Sequence, residues 1–404
     1  MLSTVITKVL NKVFGYLFFD IAIKLMPFLI LPYFSNILPM AEFKNVSLFM
    51  VLLSFLLTLL PLGVSTKVLL KLTEKRDSKL FIPSALFVPF LAAVSLLLSS
   101  VFVAGKINLK VIEVCYLVLI AFNLTIGQVL AVRFQAEQKS HLYGTVMLLL
   151  QASFYIPLLC IVSLSNSLSG VHLIFNVCIV LQIIVISAII ILERRARDSK
   201  FSFSMADTKI YTIFIGGILI HILVNSTRFI YDRLFMASTP DDAGFVYYNI
   251  AMQVAMILSV LLVSANRFWT TFYFSNKDNI TKKHYITCIT ILIVAAIFVY
   301  IFGVLYINLF YPPDYTAALN LVPLLLMSYV FQGLYLIFSV QLYARENYKA
   351  INISSMLSLI LSIAIMAPLY DKFGSSGVAI SVLISWLSLF LLSLLFSSKG
   401  KLRC

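Results

Sequence analysis

The chain has 404 residues, 61% of them hydrophobic and only 11% charged, with a mean hydropathy of +1.03. A soluble domain carries about 25% charged residues, so this composition excludes an ordinary soluble enzyme, a disordered chain and a nucleic-acid-binding domain. The apolar matter must face lipid, and the formal net charge of +14 then reads as Lys and Arg gathered in cytoplasmic loops, because positive loops resist translocation.

A spanning helix needs about 20 mostly apolar residues. In chain order the predicted spans are 13–38, 45–70, 81–104, 111–132, 141–164 and 171–192, then 210–236, 245–267, 285–308, 319–343, 351–369 and 377–396. The expected fold is therefore all-α and polytopic, with twelve transmembrane helices. The apolar runs are continuous and do not alternate, which excludes an outer-membrane barrel. The N-terminus shows no cleavable-signal pattern, so the first apolar stretch is expected to stay. With the N-terminus inside, twenty-three Lys and Arg fall on the cytoplasmic side and five outside. That asymmetry predicts both termini in the cytoplasm.

A basic break, Glu193-Arg194-Arg195-Ala196-Arg197-Asp198-Ser199-Lys200, nearly bisects the chain. The predicted domains are residues 1–200 and 201–404, six helices in each. Both halves open with a polar helix, carrying Tyr16, Asp20 and Lys24 in one and His221, Asn225, Arg228 and Asp232 in the other. A Pro-containing turn follows in each, and a shift of 202 aligns Phe43 with Phe245 and Gly15 with Gly217. Six is even, so the copies enter from one side, as a parallel repeat. Transporters built this way carry their substrate between the halves.

The sequence shows no P-loop, no Gly-rich dinucleotide loop and no HExxH, so no enzyme, cofactor or metal site is expected. The five cysteines, Cys115, Cys160, Cys178, Cys288 and Cys404, have no metal spacing and read as packed free thiols. Charges inside apolar spans are the informative features, since each costs at least about 2.5 kcal/mol at the bilayer centre. Asp20 and Lys24, four residues apart, share a face of the first span. Lys24 lies near the midplane by helical rise. It reads either as a cation awaiting an anionic substrate or as half of a self-neutralising pair.

His221, Asn225, Arg228 and Asp232 follow at i, i+4, i+7 and i+11, so one face of the seventh span is polar over three turns. The planar fork of Arg228 suits phosphate; the competing reading pairs it with Asp232. His221 is a candidate proton-coupling group, because imidazole titrates near neutrality, and Asp232 joins it as a coupling candidate. The coupling ion, H+ or Na+, stays open. Milder polar stripes are Ser54, Thr58, Pro61 and Ser65; Asn249 and Gln253; and Ser328, Gln332, Tyr335 and Ser339. These either line a wet path for sugar hydroxyls or hold helices together. Glu113 reads as interfacial. Pro27, Pro32, Pro61, Pro157 and Pro323 mark kinks or gates.

The second half carries a specific resemblance. It runs through Leu309-Phe310-Tyr311-Pro312-Pro313-Asp314-Tyr315-Thr316-Ala317-Ala318, Val322-Pro323-Leu324-Leu325-Leu326, Tyr329-Val330-Phe331-Gln332-Gly333-Leu334-Tyr335 and Leu342-Tyr343-Ala344-Arg345. The closing Gly374-Ser375-Ser376-Gly377-Val378-Ala379-Ile380-Ser381, the Asp232-Arg233 pair and the Gly244-Phe245-Val246-Tyr247 turn fit the same pattern. The chain resembles the O-antigen repeat-unit (Wzx-type) flippases of the multidrug/oligosaccharidyl-lipid/polysaccharide (MOP) exporter superfamily over essentially its whole length. The resemblance implies two six-helix bundles in a MATE-like V in the bacterial inner membrane. It implies that an undecaprenyl-pyrophosphate-linked oligosaccharide passes from the cytoplasmic to the periplasmic leaflet through a cationic central cavity. Lys24, Arg228, Asp20, Asn249, Gln253, Gln332 and Tyr335 are then the candidate substrate residues. The expected partners are the lipid-linked oligosaccharide, membrane lipids, a polysaccharide polymerase and a chain-length regulator, and no nucleic acid. The main rival is an ion-coupled drug or cation exporter of the same superfamily, which should place acidic residues deep in its cavity. A membrane-embedded polysaccharide enzyme is the further rival, and it should carry a large outside loop.

Overall fold

In a computed structural model the described residues are 19, 22–75, 82–107, 109–137, 139–165, 167–168, 170–196, 204–275, 280–344 and 347–399. Tyr16, Asp20, residues 197–200 of the basic break and Cys404 lie outside them, as do the side chains of the rest of the break and of His221 and Asn225. The described chain is helical throughout. α1 is Ala22–Ile37. It is followed by α2 (Met40–Leu59), α3 (Val64–Lys75), α4 (Ile82–Ile107), α5 (Val111–Ala136), α6 (Ser140–Ser165), α7 (Val171–Ala196) and α8 (Met205–Arg228). Then come α9 (Tyr231–Ser238), α10 (Asp242–Ser275), α11 (Lys282–Phe310), a 3-10 helix (Pro313–Asn320), α12 (Val322–Ala344), α13 (Tyr348–Phe373) and α14 (Ser375–Lys399).

Among the described residues nine helices are long and apolar enough to cross a membrane, and the described parts of α1 and α4, Ala22–Ile37 and Ser84–Ser100, are apolar as well. The expected span over 210–236 is not in that set. It is helical over Met205–Arg228, but several of its side chains lie outside the described residues, and the helix breaks at Phe229 and Ile230 between α8 and α9. The expected span over 45–70 is likewise two helices, α2 and α3, separated by residues 60–63. Pro61 has no N–H to donate there, and Leu62 and Gly63 take the left-handed region at φ 47° and 73°.

The contacts divide the chain into two compact units, Met1–Ser226 and Thr227–Cys404. The division falls inside α8 rather than at the basic break. Ser204, just ahead of α8, is fastened to α4: its N–H donates to Ser84 Oγ (2.8 Å), and Ser84 Oγ donates back to its carbonyl (3.1 Å). In the first unit α5 is the hub, packed by α2, α3, α4, α6 and α7. A capping box starts it, with the Glu113 carboxylate accepting the Lys110 N–H at 3.0 Å. Glu42 at the start of α2 accepts the Leu168 N–H at 2.6 Å and so ties the α6–α7 turn down.

In the second unit α12 is the hub, against α10, α11 and α14, and α13 packs on α14. α11 is the span that faces outward most, with 17% of its most apolar stretch buried. The first residues of α2 and α10, Met40 and Asp242, lie 202 positions apart. Phe43 and Phe245, one turn in from those starts, are both fully buried. The aligned pair thus plays one packing role in each unit.

Candidate functional site

The polar residues of the second unit converge where α8 gives way to α9. Arg228 ends α8 and is buried. Its Nη2 donates to the Ser355 carbonyl and to Ser358 Oγ on α13, both at 2.7 Å. Its Cζ lies 4.9 Å from the ring centre of Trp386 on α14, a cation–π distance. Its other terminal nitrogen, Nη1, has no hydrogen-bond partner among the described residues. The expected alternative, an Arg228–Asp232 pair, is not what forms, because the break between α8 and α9 turns the guanidinium toward α13.

Asp232, in the first turn of α9, is 2% exposed. Its Oδ2 accepts from the Tyr248 hydroxyl of α10 at 2.5 Å, and its Oδ1 has no side-chain hydrogen-bond partner among the described residues. The next residue, Arg233, donates to the Phe229 carbonyl, an acceptor that the end of α8 sets free. Tyr329 of α12 donates to Met252 Sδ at 3.3 Å and completes a buried polar core. Arg228 and Asp232 also line one cavity of about 10 Å³, together with Ser362, Ser385 and Trp386. That is room for about one water. The two unpartnered atoms, a donor and an acceptor, are of the kind one bridging water satisfies.

α13 and α14 can hold this site because serine recurs on their facing sides. Ser385 Oγ donates to the Ser358 carbonyl at 3.2 Å, and Ser362 Oγ donates to the Ser381 carbonyl at 3.3 Å. Small hydroxyl residues allow helices to pack closely in lipid and bond across the contact. At the turn between them a Cβ on Gly377 would collide with the Leu369 carbonyl, so only glycine fits.

The other candidates lie apart from this cluster. Tyr335 of α12 is buried with Trp386, Val382 and Leu389 and so borders it. Gln332, one turn earlier, is buried with its Oε1 unpartnered. On α10, Asn249 is buried, and Gln253 Oε1 accepts from the Tyr311 hydroxyl at 3.2 Å. The backbones of His221 and Asn225 belong to α8. In the first unit Lys24 projects outward from α1 and makes no bond among the described residues. Part of the milder stripes is satisfied within its own helix: Ser54 and Thr58 donate to the Met50 and Ser54 carbonyls, and Ser328 to the Leu324 carbonyl, whereas Ser65 Oγ is buried without a partner among the described residues. Sequence reasoning missed Tyr248, Trp386 and the α13–α14 serines. The four-residue spacing of Ser354, Ser358 and Ser362 against Ser381 and Ser385 was the available signal.

No protein-family pattern and no curated protein sequence matches the chain. Solved structures do. A multidrug resistance MATE family transporter of the MOP superfamily, in an inward-facing conformation, matches with a TM-score of 0.70 at 13% identity, over 94% of this chain and 96% of that one. The lipid II flippase MurJ, in an inward closed conformation, matches at 0.67 and 16% identity, over 94% of this chain and 87% of that one. The MATE transporter VcmN of Vibrio cholerae matches at 0.64 and 12% identity, over 98% and 97%. Apolar helices and these likenesses together make the chain a multi-pass membrane protein with the fold of the MOP superfamily transporters, a fold used by a multidrug exporter and by a lipid flippase.

Proposed function

We propose that the protein is a flippase for an undecaprenyl-pyrophosphate-linked oligosaccharide, an O-antigen repeat unit, working by alternating access. It would carry this substrate from the cytoplasmic to the periplasmic leaflet of a bacterial inner membrane. The observation that carries the reading is Arg228: a guanidinium fixed by α13 and α14 within an apolar unit, with one terminal nitrogen still free to donate. A pyrophosphate head cannot cross hydrocarbon unaided and requires cationic donors along its way. Lys24 offers a second cation on the other unit. Gln332 and Asn249 offer amides to sugar hydroxyls, and the isoprenoid tail stays in the bilayer.

Deleting the gene and weighing the membrane lipids tests this. Accumulation of undecaprenyl-pyrophosphate oligosaccharide on the cytoplasmic side, with loss of surface glycan, supports it and names the sugar. Unaffected surface glycan overturns it. The rival, an ion-coupled exporter of cationic drugs, has its own observation in Asp232, a buried carboxylate with one free oxygen. It predicts sensitivity to cationic dyes on deletion, with normal glycan.

A further inference from the structure

A second cavity of the second unit is unlike the first. It encloses about 350 Å³ between α10, α11 and α12, within the usual size range of ligand pockets. Leu262, Ala265 and Trp269 of α10, Cys288 and Leu292 of α11, and Gly333 of α12 form much of its wall, which is almost wholly apolar. Gly333 lets α12 pack close against the wall: a Cβ there would meet Leu292 at 2.8 Å and Leu262 at 2.9 Å. The groove follows α11 from His284 to Ala295, about 16 Å at 1.5 Å per residue. That is about half of a ~30 Å hydrocarbon core, the depth of one leaflet.

Its polar end is built for a negative charge. Lys282 and Lys283, both exposed, open α11 immediately before His284. The helix dipole is positive at that first turn, which Thr281 and His284 cap. His284 Nδ1 accepts the Thr281 N–H at 3.1 Å, which leaves Nε2 as the protonated nitrogen and a donor. Trp269, Phe272, Tyr273 and Tyr285 gather at the same end, with Trp269 ring centroids 5.5–6.1 Å from the other three. Such aromatic clusters mark the headgroup level of a bilayer.

We propose that this groove is a binding site for one acyl chain of an anionic phospholipid, whose phosphate rests on Lys282, Lys283 and His284. The length selects a bilayer phospholipid, since a polyprenyl chain far outruns one leaflet. The charge selects an anionic head. By the Lys and Arg asymmetry this end is cytoplasmic, so the lipid comes from the inner leaflet. The site does not depend on which substrate the protein moves.

The test uses the full-length protein in phosphatidylcholine nanodiscs. These are doped with phosphatidylglycerol, or an equal amount of phosphatidylcholine, bearing a diazirine in one acyl chain. Light should crosslink the phosphatidylglycerol probe to residues 262–269 and 284–295, and the phosphatidylcholine probe far less. Lys282→Ser with Lys283→Ser should lower the preference about tenfold. Gly333→Phe should abolish labelling of these segments. Should that variant elute as an aggregate, Ala295→Trp, at the rim, is read instead. Equal labelling by the two probes overturns the site, as does labelling that a filled groove leaves unchanged. A diazirine polyprenyl phosphate that labels the same segments and displaces phosphatidylglycerol at equal concentration assigns the groove to an isoprenoid chain and also overturns it.

Discussion

Each unit contains one helix interruption, and the two are made by different means. Between α2 and α3 the backbone itself does the work: Pro61 withholds a donor, and Leu62 and Gly63 cross into positive φ. The freed groups are recovered locally, the Leu62 N–H bonding the Leu59 carbonyl at 3.2 Å and the Val64 N–H the Pro61 carbonyl at 2.8 Å. Between α8 and α9 there is no proline or glycine. There the Arg233 guanidinium takes up the Phe229 carbonyl, while Arg228 and Asp232 on either side are held by α13, α14 and α10. The first break is written in local sequence. The second exists only because side chains from distant elements support it, and those side chains carry charge into the apolar interior. This is where a function that handles ions would reside.

The largest expected effect separates the two breaks by activity. Arg228→Ala should abolish surface glycan under the flippase reading, whereas Gly63→Ala should leave it near wild type. Arg228→Lys should not rescue, because an ammonium gathers its donors on one nitrogen and cannot bond Ser355 and Ser358 while holding a second nitrogen apart from them, as Nη1 is held. Membrane abundance of each variant, read on a blot, separates lost function from lost protein. Lys24→Ala, which touches no described partner, should also abolish glycan while leaving abundance unchanged. Normal glycan in both variants would remove the cationic path from the mechanism.

The same contrast explains what the sequence disclosed. Apolar length located nine membrane-crossing helices among the described residues, because spanning a bilayer imposes length and an apolar composition that sequence displays directly, but it did not locate the two interruptions. Phe43 and Phe245, which the 202-residue shift pairs, both pack at a helix start. Pro61 and Gly63 announced the first break, yet the spans were drawn through it, because apolar content alone does not register positive φ. The second break left no such mark. Arg228 and Asp232 were visible as costly charges on one face, but their partners were not. Trp386, Ser358 and Tyr248 lie more than ten residues from them along the chain, and a phenol or a serine in an apolar run is ordinary.

A middle-sized effect tests the buried acid. Tyr248→Phe keeps the ring and removes the hydroxyl that donates to Asp232 Oδ2, so a buried carboxylate loses its side-chain hydrogen bond. Stranding such a group costs about 1–3 kcal/mol or more. Thermal unfolding of the purified protein in nanodiscs should show a clear drop for Tyr248→Phe and a smaller one for Tyr248→Phe with Asp232→Asn, because the neutral amide removes the stranded charge. A double variant that falls by the sum of the single losses would mean that Tyr248 and Asp232 are not coupled.

The smallest effect belongs to the first break. Gly63 at φ 73° occupies a region that costs an L-residue of the order of 1 kcal/mol. Gly63→Ala should lower stability by about that amount and no more, because no charged group depends on the turn. Gly63→Asn should recover part of the loss, since asparagine tolerates the left-handed region better than alanine does. Thermal unfolding in nanodiscs checks both variants. If Gly63→Ala instead costs as much as Tyr248→Phe, the α2–α3 turn is supported by more than its own backbone, and the two interruptions are alike after all.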